Sequence, residues 1–260
     1  VVTGSILQPD MTPAAIDRAV TEAVQTGEGN TALYATNLQL LRELQPDIIL
    51  TQTICDVCAV NAGAVSTGLP PGTQMVNLAA TSIDGLWNDL RNVAGATGAS
   101  AAKPINDLQA RLDAVEHAVA GREQKRVLAL EWLDPPFLGG HWVPEIVERA
   151  GGIHILGRSD EPSRRASWDE IFEADPEVLL LTPCGYNLED TASQGDEFVA
   201  KYGRIPAVRN NAVWATDATR FFSRCTPATI RAVEIVAGIL HPEVCAPPLA
   251  GEARRLAVHV

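Results

Sequence analysis

The sequence is short of positive charge, of aromatic rings and of long apolar runs, and each shortage excludes a class of protein. Lys and Arg total 20 against 32 Asp and Glu, which gives a formal net charge of -12. Nucleic-acid backbones and anionic membrane surfaces bind through clustered positive charge, so neither is expected as a partner. No run approaches the roughly 18 consecutive apolar residues of a membrane helix, so we expect no membrane insertion. Hydrophobic residues still make up 46% of the 260, enough for a sizeable core.

Cysteine is scarce and odd in number. The five residues are Cys55, Cys58, Cys184, Cys225 and Cys245. An odd count in a chain of this length is not a disulfide framework, so we expect thiols kept for a site or one short-range disulfide. No signal peptide is visible, because the opening VVTGS has neither a basic run nor an apolar stretch. The compartment stays open on these grounds, and a cytoplasmic location is not excluded.

Helical and strand-like apolar periods alternate along the chain, which predicts an α/β fold with mostly parallel sheets. Helices are predicted over 12–24, 37–44, 82–93, 104–120, 143–150, from 168 and over 226–240. Strands are predicted over 47–52, 75–78, 126–131, 177–182 and 212–215. The strand over 47–52 is a continuous apolar run, which is typical of a strand covered on both faces.

Helix ends can be read from single residues. Thr12, Ser167 and Thr226 are predicted N-caps. Glycine at 95 and 98 is expected to interrupt the helix over 82–93, and Gly121 fits the position just past the helix over 104–120. That longer helix carries an apolar stripe of Leu and Val at helical spacing and is long enough to join two lobes. The tail after residues 247–248 is expected to be loosely held.

Unusual residues gather in the loops that follow the predicted strands. Ligands of open parallel sheets bind beyond the carboxyl ends of the strands. Aromatic residues are only 5% of the chain, yet six of them lie in these loops. A Pro-Pro pair at 135–136 stiffens one loop, and a Gly-Gly pair at 139–140 permits close approach, so a large flat ligand is expected. The candidate ligand-binding residues are Trp132, Phe137, Gly140, His141, Trp142, Tyr186, Phe222 and Arg224. Core packing of the rings, a backbone hydrogen bond of His141 and a surface ion pair of Arg224 remain alternatives.

A C-x-x-C pair at Cys55 and Cys58 is the other chemical signal. One such pair is incomplete as a metal site, but Cys184 and His141 lie in other strand-end loops and would complete four ligands. Structural thiols or a redox pair explain the same spacing. The sequence contains no Gly-x-Ser-x-Gly, Walker or His-Glu-x-x-His motif, so we do not expect an enzyme.

Three runs resemble the vitamin B12-binding proteins of ABC importers. They are EWLDPPFLGGHWVPEIVERAGG at 131–152, EPSRRASWDEIFEADPEVLLLTPCGY at 161–186 and FFSR at 221–224. The segment at 55–60 has the C-x-V-C-A-V pattern of one subgroup. The resemblance implies an N-terminal lobe over 1–81, a helical linker with a long interlobe helix over 82–121 and a C-terminal lobe over 122–260, with the ligand in the cleft between the lobes. The family begins with a further strand–helix–strand unit, so the first lobe is expected to be incomplete.

The resemblance also implies a function. It predicts a monomeric solute-binding protein that captures cobalamin, another corrinoid or a related metal chelate, requires no cofactor and works outside the cytoplasm, in the periplasm or at the cell surface. Asp169 and Glu170 fall where the family has an acid that docks to importer arginines, although acids that cap a helix explain them equally well. A metal-ion or metal-cluster protein using Cys55, Cys58, Cys184 and His141 is one alternative, and a thiol oxidoreductase is another.

Overall fold

The computed structural model describes residues 3–5, 7, 11–25, 34–54, 62–66 and 68–257. The chain divides into two compact units. Unit 1 consists of Val1–Ala80 and Trp87–Lys103, and unit 2 consists of Thr81–Leu86 and Pro104–Val260. The boundaries expected at residues 81 and 121 stay a prediction. No helix in these described ranges is both long enough and apolar enough to cross a membrane.

Unit 1 holds two small sheets in its described part. Strand β1 (Thr3–Ser5) pairs antiparallel with β2 (Tyr34–Thr36), and β3 (Ile48–Gln52) pairs parallel with β4 (Gln74–Leu78). Its helices are α1 (Pro13–Gln25), α2 (Leu38–Leu44) and α3 (Ala62–Ser66), and α4 (Ile83–Thr97) begins in unit 2 and continues into unit 1.

Local signals in unit 1 were partly right. Thr12 begins α1 as predicted, because its Oγ1 accepts a hydrogen bond from the Ala15 amide at 3.3 Å. The strand over 47–52 forms, but the expectation that both its faces are covered was wrong, since Leu50 is 51% exposed. Within the described residues β3 has β4 as its one partner strand, and Met75 of β4 is 39% exposed as well.

Helices α4 and α5 (Ala102–Val119) show how glycine acts by position. Helix α4 runs through Gly95, contrary to the prediction, because one interior glycine costs only about 1 kcal/mol. It ends at Gly98, whose φ of +68° is left-handed. Gly121 ends α5 as predicted, with φ +71°. The predicted stripe of α5, Leu108, Leu112, Val115 and Val119, is buried, and Ile105 one turn earlier is buried with it.

Unit 2 is built on a mixed sheet of seven strands. They are β5 (Arg126–Leu133), β6 (Pro136–Leu138), β7 (Ile153–His154), β8 (Arg164–Arg165), β9 (Val178–Leu181), β10 (Val213–Thr216) and β11 (Ala253–Arg255). Their order is β11-β10-β9-β5-β6-β8, with β7 also pairing β5. Strands β7, β5, β9 and β10 are parallel to their neighbours in that set, whereas β6, β8 and β11 are antiparallel. The predicted strands at the centre are confirmed, and the α/β class with them.

Six helices accompany this sheet in the part of unit 2 that the structure describes. They are α6 (Val143–Arg149), α7 (Trp168–Ala174), α8 (Leu188–Lys201), α9 (Pro206–Arg209), α10 (Ala218–Phe221) and α11 (Ala228–Leu240). Ser167 caps α7 as predicted, accepting from the Glu170 amide at 3.1 Å. The N-cap of α11 is Pro227, one residue later than predicted, and the Thr226 hydroxyl still accepts from the Ala228 amide at 3.3 Å.

The C-terminal tail is anchored, so the expectation that it is loosely held was wrong. Strand β11 pairs with β10 at the edge of the sheet. Just before it, Glu252 is 6% exposed and accepts from the Arg231 Nε and Nη2 atoms of α11 at 2.9 and 2.8 Å. The Leu249 amide donates to the same carboxylate at 2.9 Å. The sequence did not predict this ion pair, because Glu252 and Arg231 are 21 positions apart and no helical or strand period relates them.

We predict that Glu252→Gln lowers the free energy of unfolding by about 2 kcal/mol, because it weakens charge-assisted hydrogen bonds in a buried setting. Arg231 also holds the pKa of Glu252 below its usual range, so this contribution is present above about pH 4.5 and is lost as the pH falls. Urea unfolding of the wild type and the variant at several pH values measures both the loss of stability and its dependence on pH. Glu189→Gln is the matched control, since Glu189 pairs with Arg254 of the same tail while 73% exposed and should cost less than about 0.5 kcal/mol. Equal losses would contradict the anchoring.

His154 makes a second prediction. It is 9% exposed, both of its ring nitrogens are buried without a hydrogen-bond partner, and burial lowers its pKa from 6.5 to about 4. The unfolded chain therefore binds this proton first, and stability falls by about 3 kcal/mol between pH 7 and pH 4. His154→Leu should flatten that part of the pH–stability curve, whereas replacing the exposed His117 by Leu should not. An unchanged slope in His154→Leu would refute the assignment.

Candidate functional site

Three loops meet at the carboxyl edge of the parallel strands of unit 2. The first runs from Glu131 to Trp142 and contains the β5–β6 hairpin, the second is 182–187 after β9, and the third is 217–227 after β10. The strands end level with one another, since Leu181 of β9 pairs with Leu130 of β5 and Ala215 of β10. Six predicted residues of these loops, together with Glu131, form what we call the strand-end cluster: Glu131, Trp132, His141, Trp142, Cys184, Tyr186 and Phe222.

Hydrogen bonds tie the three loops together. The Cys184 amide donates to the Glu131 carbonyl at 3.1 Å, which joins the second loop to the first. The Thr219 amide donates to the Tyr186 carbonyl at 2.9 Å and joins the third loop to the second. The Trp142 indole Nε1 donates to the Phe222 carbonyl at 2.9 Å, which closes the circuit. The edge is therefore a preorganised surface rather than three independent loops.

Aromatic contacts at this edge divide into exposed and enclosed rings. The Trp132 and Tyr186 rings meet edge to face, with centroids 5.5 Å apart and planes at 76°. Both are half-buried, so each retains surface, and burial raises the pKa of the Tyr186 phenol. Trp142 and Phe222 are only 7% and 2% exposed, which suits support of the loops better than stacking on a ligand. Ligand contact by any of these residues stays a prediction.

Two further predicted residues are Phe137 and Arg224. Phe137 is on β6 beneath the Arg165 guanidinium of β8, whose carbon lies 5.3 Å from the ring centroid. Arg224 is exposed and precedes α11 by four positions, and its carbonyl accepts from the Thr229 hydroxyl at 3.4 Å. Phe137 pairs with Trp132 of the strand-end cluster across the β5–β6 hairpin. The roles of Phe137 and Arg224 as ligand contacts stay predictions.

The glycine turn is filled by the protein itself. A Cβ on Gly140 would lie 2.4 Å from the Ser163 amide nitrogen and 2.6 Å from the Glu161 carbonyl oxygen. The backbone of residues 161–163 thus packs closely against Gly140. The expectation that the Gly-Gly turn is open to a ligand was wrong at Gly140, because the protein itself fills that space. The Glu131 carboxylate accepts from the Gly140 amide at 3.4 Å and from the Ser163 hydroxyl at 2.5 Å.

A short backbone clasp holds His141. Its amide donates to the Glu161 carbonyl at 2.7 Å, and the Asp160 amide donates to the His141 carbonyl at 3.1 Å. Both His141 and Asp160 are left-handed, with φ of +51° and +63°, a conformation that non-glycine residues keep only where surroundings enforce it. The Asp160 carboxylate accepts from the Thr81 hydroxyl at 3.1 Å. Sequence reasoning missed this segment because it lies about 20 residues downstream and carries no periodic signal.

The electrostatics of the edge favour neutral groups. Burial lowers the pKa of His141, an effect that the nearby Asp160 partly opposes, so the imidazole is neutral near pH 7. The His141 Nδ1 and Trp132 Nε1 atoms are buried without a hydrogen-bond partner. A buried polar atom left unsatisfied costs about 1–3 kcal/mol. The other two buried nitrogens of this kind in the described residues belong to His154 on β7.

The predicted metal ligands are not assembled in the part of the chain that can be described. Within those residues no group of three or more His, Cys, Asp and Glu side chains could hold a metal ion. Cys184 is half-buried in the second loop, and His141 lies in the first. Cys55 and Cys58 lie outside the described residues. The four-ligand set stays a prediction.

The predicted docking acids lie in the first turn of α7. Asp169 is exposed. Glu170 accepts from the Arg164 Nη1 and Nη2 atoms at 3.2 and 2.5 Å, and this hydrogen bonding to Arg164 lowers the pKa of Glu170. Of the two, Asp169 is therefore the carboxylate better placed to meet another protein. Docking by either residue is untested.

Comparison of the sequence with known proteins identifies a family for this chain. The model of the family described as "Periplasmic binding protein" matches residues 14–219 of the chain. The vitamin B12-binding protein of Vibrio parahaemolyticus (serotype O3:K6, strain RIMD 2210633) is 27% identical over 96 residues. That match covers 36% of this chain and spans about a third, 32%, of the curated relative.

Solved structures show the same fold. The vitamin B12-binding protein BtuF of Vibrio cholerae is 21% identical with a TM-score of 0.58, over 79% of this chain and 78% of that chain. A periplasmic haem-binding protein of Pseudomonas aeruginosa is 12% identical with a TM-score of 0.67, over 87% and 82%. CeuE of Helicobacter pylori, solved as a Ni–His complex, is 20% identical with a TM-score of 0.62, over 80% and 66%. At these identities the likeness establishes the fold alone.

The family match extends over most of the chain and includes β5, β9 and β10 with the loops between them. Members of this family are extracytoplasmic, non-enzymatic solute-binding components of ABC transport. The chain belongs to the periplasmic binding protein family.

Proposed function

We propose that the chain captures cobalamin, another corrinoid or a closely related metal chelate and delivers it to the membrane subunits of an ABC importer. The strand-end cluster of unit 2 is the proposed ligand site, in a protein that works as a monomer outside the cytoplasm. No cofactor is needed, because capture and release require no covalent chemistry.

The observation that carries the proposal is the pair of half-buried rings, Trp132 and Tyr186, on two loops of one sheet edge. Flat macrocycles gain affinity from aromatic contact, and a site of this kind is mostly apolar with a few fixed polar groups. The circuit of hydrogen bonds among the three loops fixes these rings before the ligand arrives, which reduces the entropy lost on binding. The B12-binding relative of Vibrio parahaemolyticus supports a corrinoid as the first ligand to test.

We predict that cyanocobalamin or dicyanocobinamide binds the purified protein with a Kd at or below the micromolar range in isothermal titration. Trp132→Leu should weaken that binding about tenfold, since an aromatic contact of this kind contributes roughly 1–1.5 kcal/mol. Tyr202→Leu is the matched control, because Tyr202 is a half-buried ring that stacks on Trp168, with centroids 3.9 Å apart, outside the strand-end cluster.

Haemin in the same titration separates the neighbouring ligand classes. Binding of haemin without either corrinoid would move the proposal to haem. Absence of heat with all three probes at about 100 µM would overturn the proposal of a macrocyclic chelate.

A metal-ion or metal-cluster site remains the second candidate, and it rests on the spacing of Cys55 and Cys58. If it exists, protein purified without chelators carries stoichiometric zinc or iron, and Cys55→Ser loses it while Cys245→Ser retains it. Elemental analysis decides the matter, and metal-free wild-type protein would remove the candidate. The thiol oxidoreductase is set aside, because the family is non-enzymatic.

A further inference from the structure

We propose that His141 recognises a neutral hydrogen-bond acceptor of the ligand, such as an amide carbonyl, through its Nε2–H group and does not bind a metal. The inference deepens the proposed function and depends on it for the identity of the ligand. Which ring nitrogen of His141 carries the hydrogen, however, is a property of the protein alone and can be measured without a ligand.

The two ring nitrogens of His141 have different surroundings. Nδ1 is buried and has no hydrogen-bond partner, whereas Nε2 is not among the buried, unpartnered atoms of the described residues. A neutral imidazole carries one hydrogen, and the other nitrogen is an acceptor. Buried N–H groups without a partner are rarer than acceptors that are incompletely satisfied. The hydrogen therefore belongs on Nε2, and Nδ1 keeps its lone pair.

The same asymmetry argues against metal ligation. A histidine that binds a metal through one nitrogen almost always donates the other N–H to a carboxylate, a backbone carbonyl or water. Ligation through Nε2 would move the hydrogen of His141 to Nδ1, where the structure provides no acceptor. Ligation through Nδ1 is blocked, because that atom is enclosed by protein.

The donor is held in one orientation. The imidazole stacks on the Trp142 ring, with centroids 5.7 Å apart and planes at 24°. Trp142 is fixed in turn by its hydrogen bond to the Phe222 carbonyl, and the clasp with Asp160 and Glu161 fixes the backbone. A donor fixed before binding discriminates well, because a ligand without an acceptor at that point leaves it unsatisfied.

The negative charge of Asp160 favours an uncharged ligand acceptor at His141 over a carboxylate. Its carboxylate is close enough to the His141 ring to interact with it electrostatically. A ligand carboxylate brought to Nε2 would meet this negative charge, whereas an uncharged carbonyl would not. The rim of a corrinoid carries amides, and the edge of haem carries carboxylates. The arrangement therefore favours the amide-bearing macrocycle.

The first test needs no ligand. Long-range ¹H–¹⁵N correlation spectra of the ¹⁵N-labelled full chain at pH 7, with His141→Asn for assignment, report which nitrogen carries the hydrogen. We expect the neutral Nε2–H form. A neutral Nδ1–H form, or a charged ring, would overturn the inference while leaving the proposed function intact.

The second test uses cyanocobalamin with two variants. Gln places an amide N–H near the position of Nε2, whereas the Asn side chain is one carbon shorter and tolerates the left-handed backbone. We expect His141→Gln to bind within about threefold of wild type and His141→Asn to bind about tenfold more weakly. Equal, large losses in both would indicate metal ligation and refute the donor role. If wild-type protein does not bind cyanocobalamin, the proposed ligand is wrong, and the spectra still decide the state of His141.

Discussion

Parallel hydrogen bonding between β5, β9 and β10 is the constraint on which the rest of unit 2 depends. Parallel strands point their carboxyl ends the same way, so the chain must leave all three at one edge before it returns through a helix. Residues distant in sequence, such as Trp132, Tyr186 and Phe222, therefore become neighbours without any signal linking them. The central residues of these strands are buried, as Leu128, Leu179 and Ala215 show, so this edge is held by the core itself.

Hydrogen bonds between the three loops then hold their aromatic side chains in fixed positions at this edge. Each hydrogen bond between loops contributes only about 1 kcal/mol, but the bonds form a circuit that leaves each loop little freedom. Trp142 and Phe222 occupy the interior of that circuit, while Trp132 and Tyr186 keep ring surface. Unsatisfied nitrogens lie at the same edge. A folded protein tolerates such a cost where function requires it. This edge is the candidate site because, unlike the surroundings of His154, it also carries half-buried rings on loops that hydrogen bonds join.

Local signals in the sequence were sufficient for most elements. Thr12 and Ser167 act as caps because their hydroxyls satisfy free amides of the first turn, and Gly121 ends a helix because it adopts a left-handed φ easily. The predictions failed where a partner came from far along the chain. The tail is fixed by Arg231, and α8 was missed because acidic and polar residues interrupt its apolar period.

The candidate site was foreseeable in outline and not in detail. The concentration of rings after the strands identified the edge, because aromatic residues are rare in this chain. The enclosure of Trp142 and the filling of the Gly140 turn were not foreseeable, since the first involves the Phe222 carbonyl and the second involves the 161–163 segment. Apart from the hydrogen bond from Ser163 to Glu131, that segment contacts the first loop through backbone atoms, and side-chain identity carries little information about backbone contacts.

The most direct measurement is the indole N–H region of the NMR spectrum during titration with dicyanocobinamide. The chain has five tryptophans, which single substitutions would assign. The account predicts that the resonance of Trp132 shifts most, that Trp142 shifts with it, and that Trp87, Trp168 and Trp214 hardly change. Saturable binding that leaves Trp132 and Trp142 unmoved, or that shifts Trp168 instead, would contradict the claim that the strand-end cluster receives the ligand.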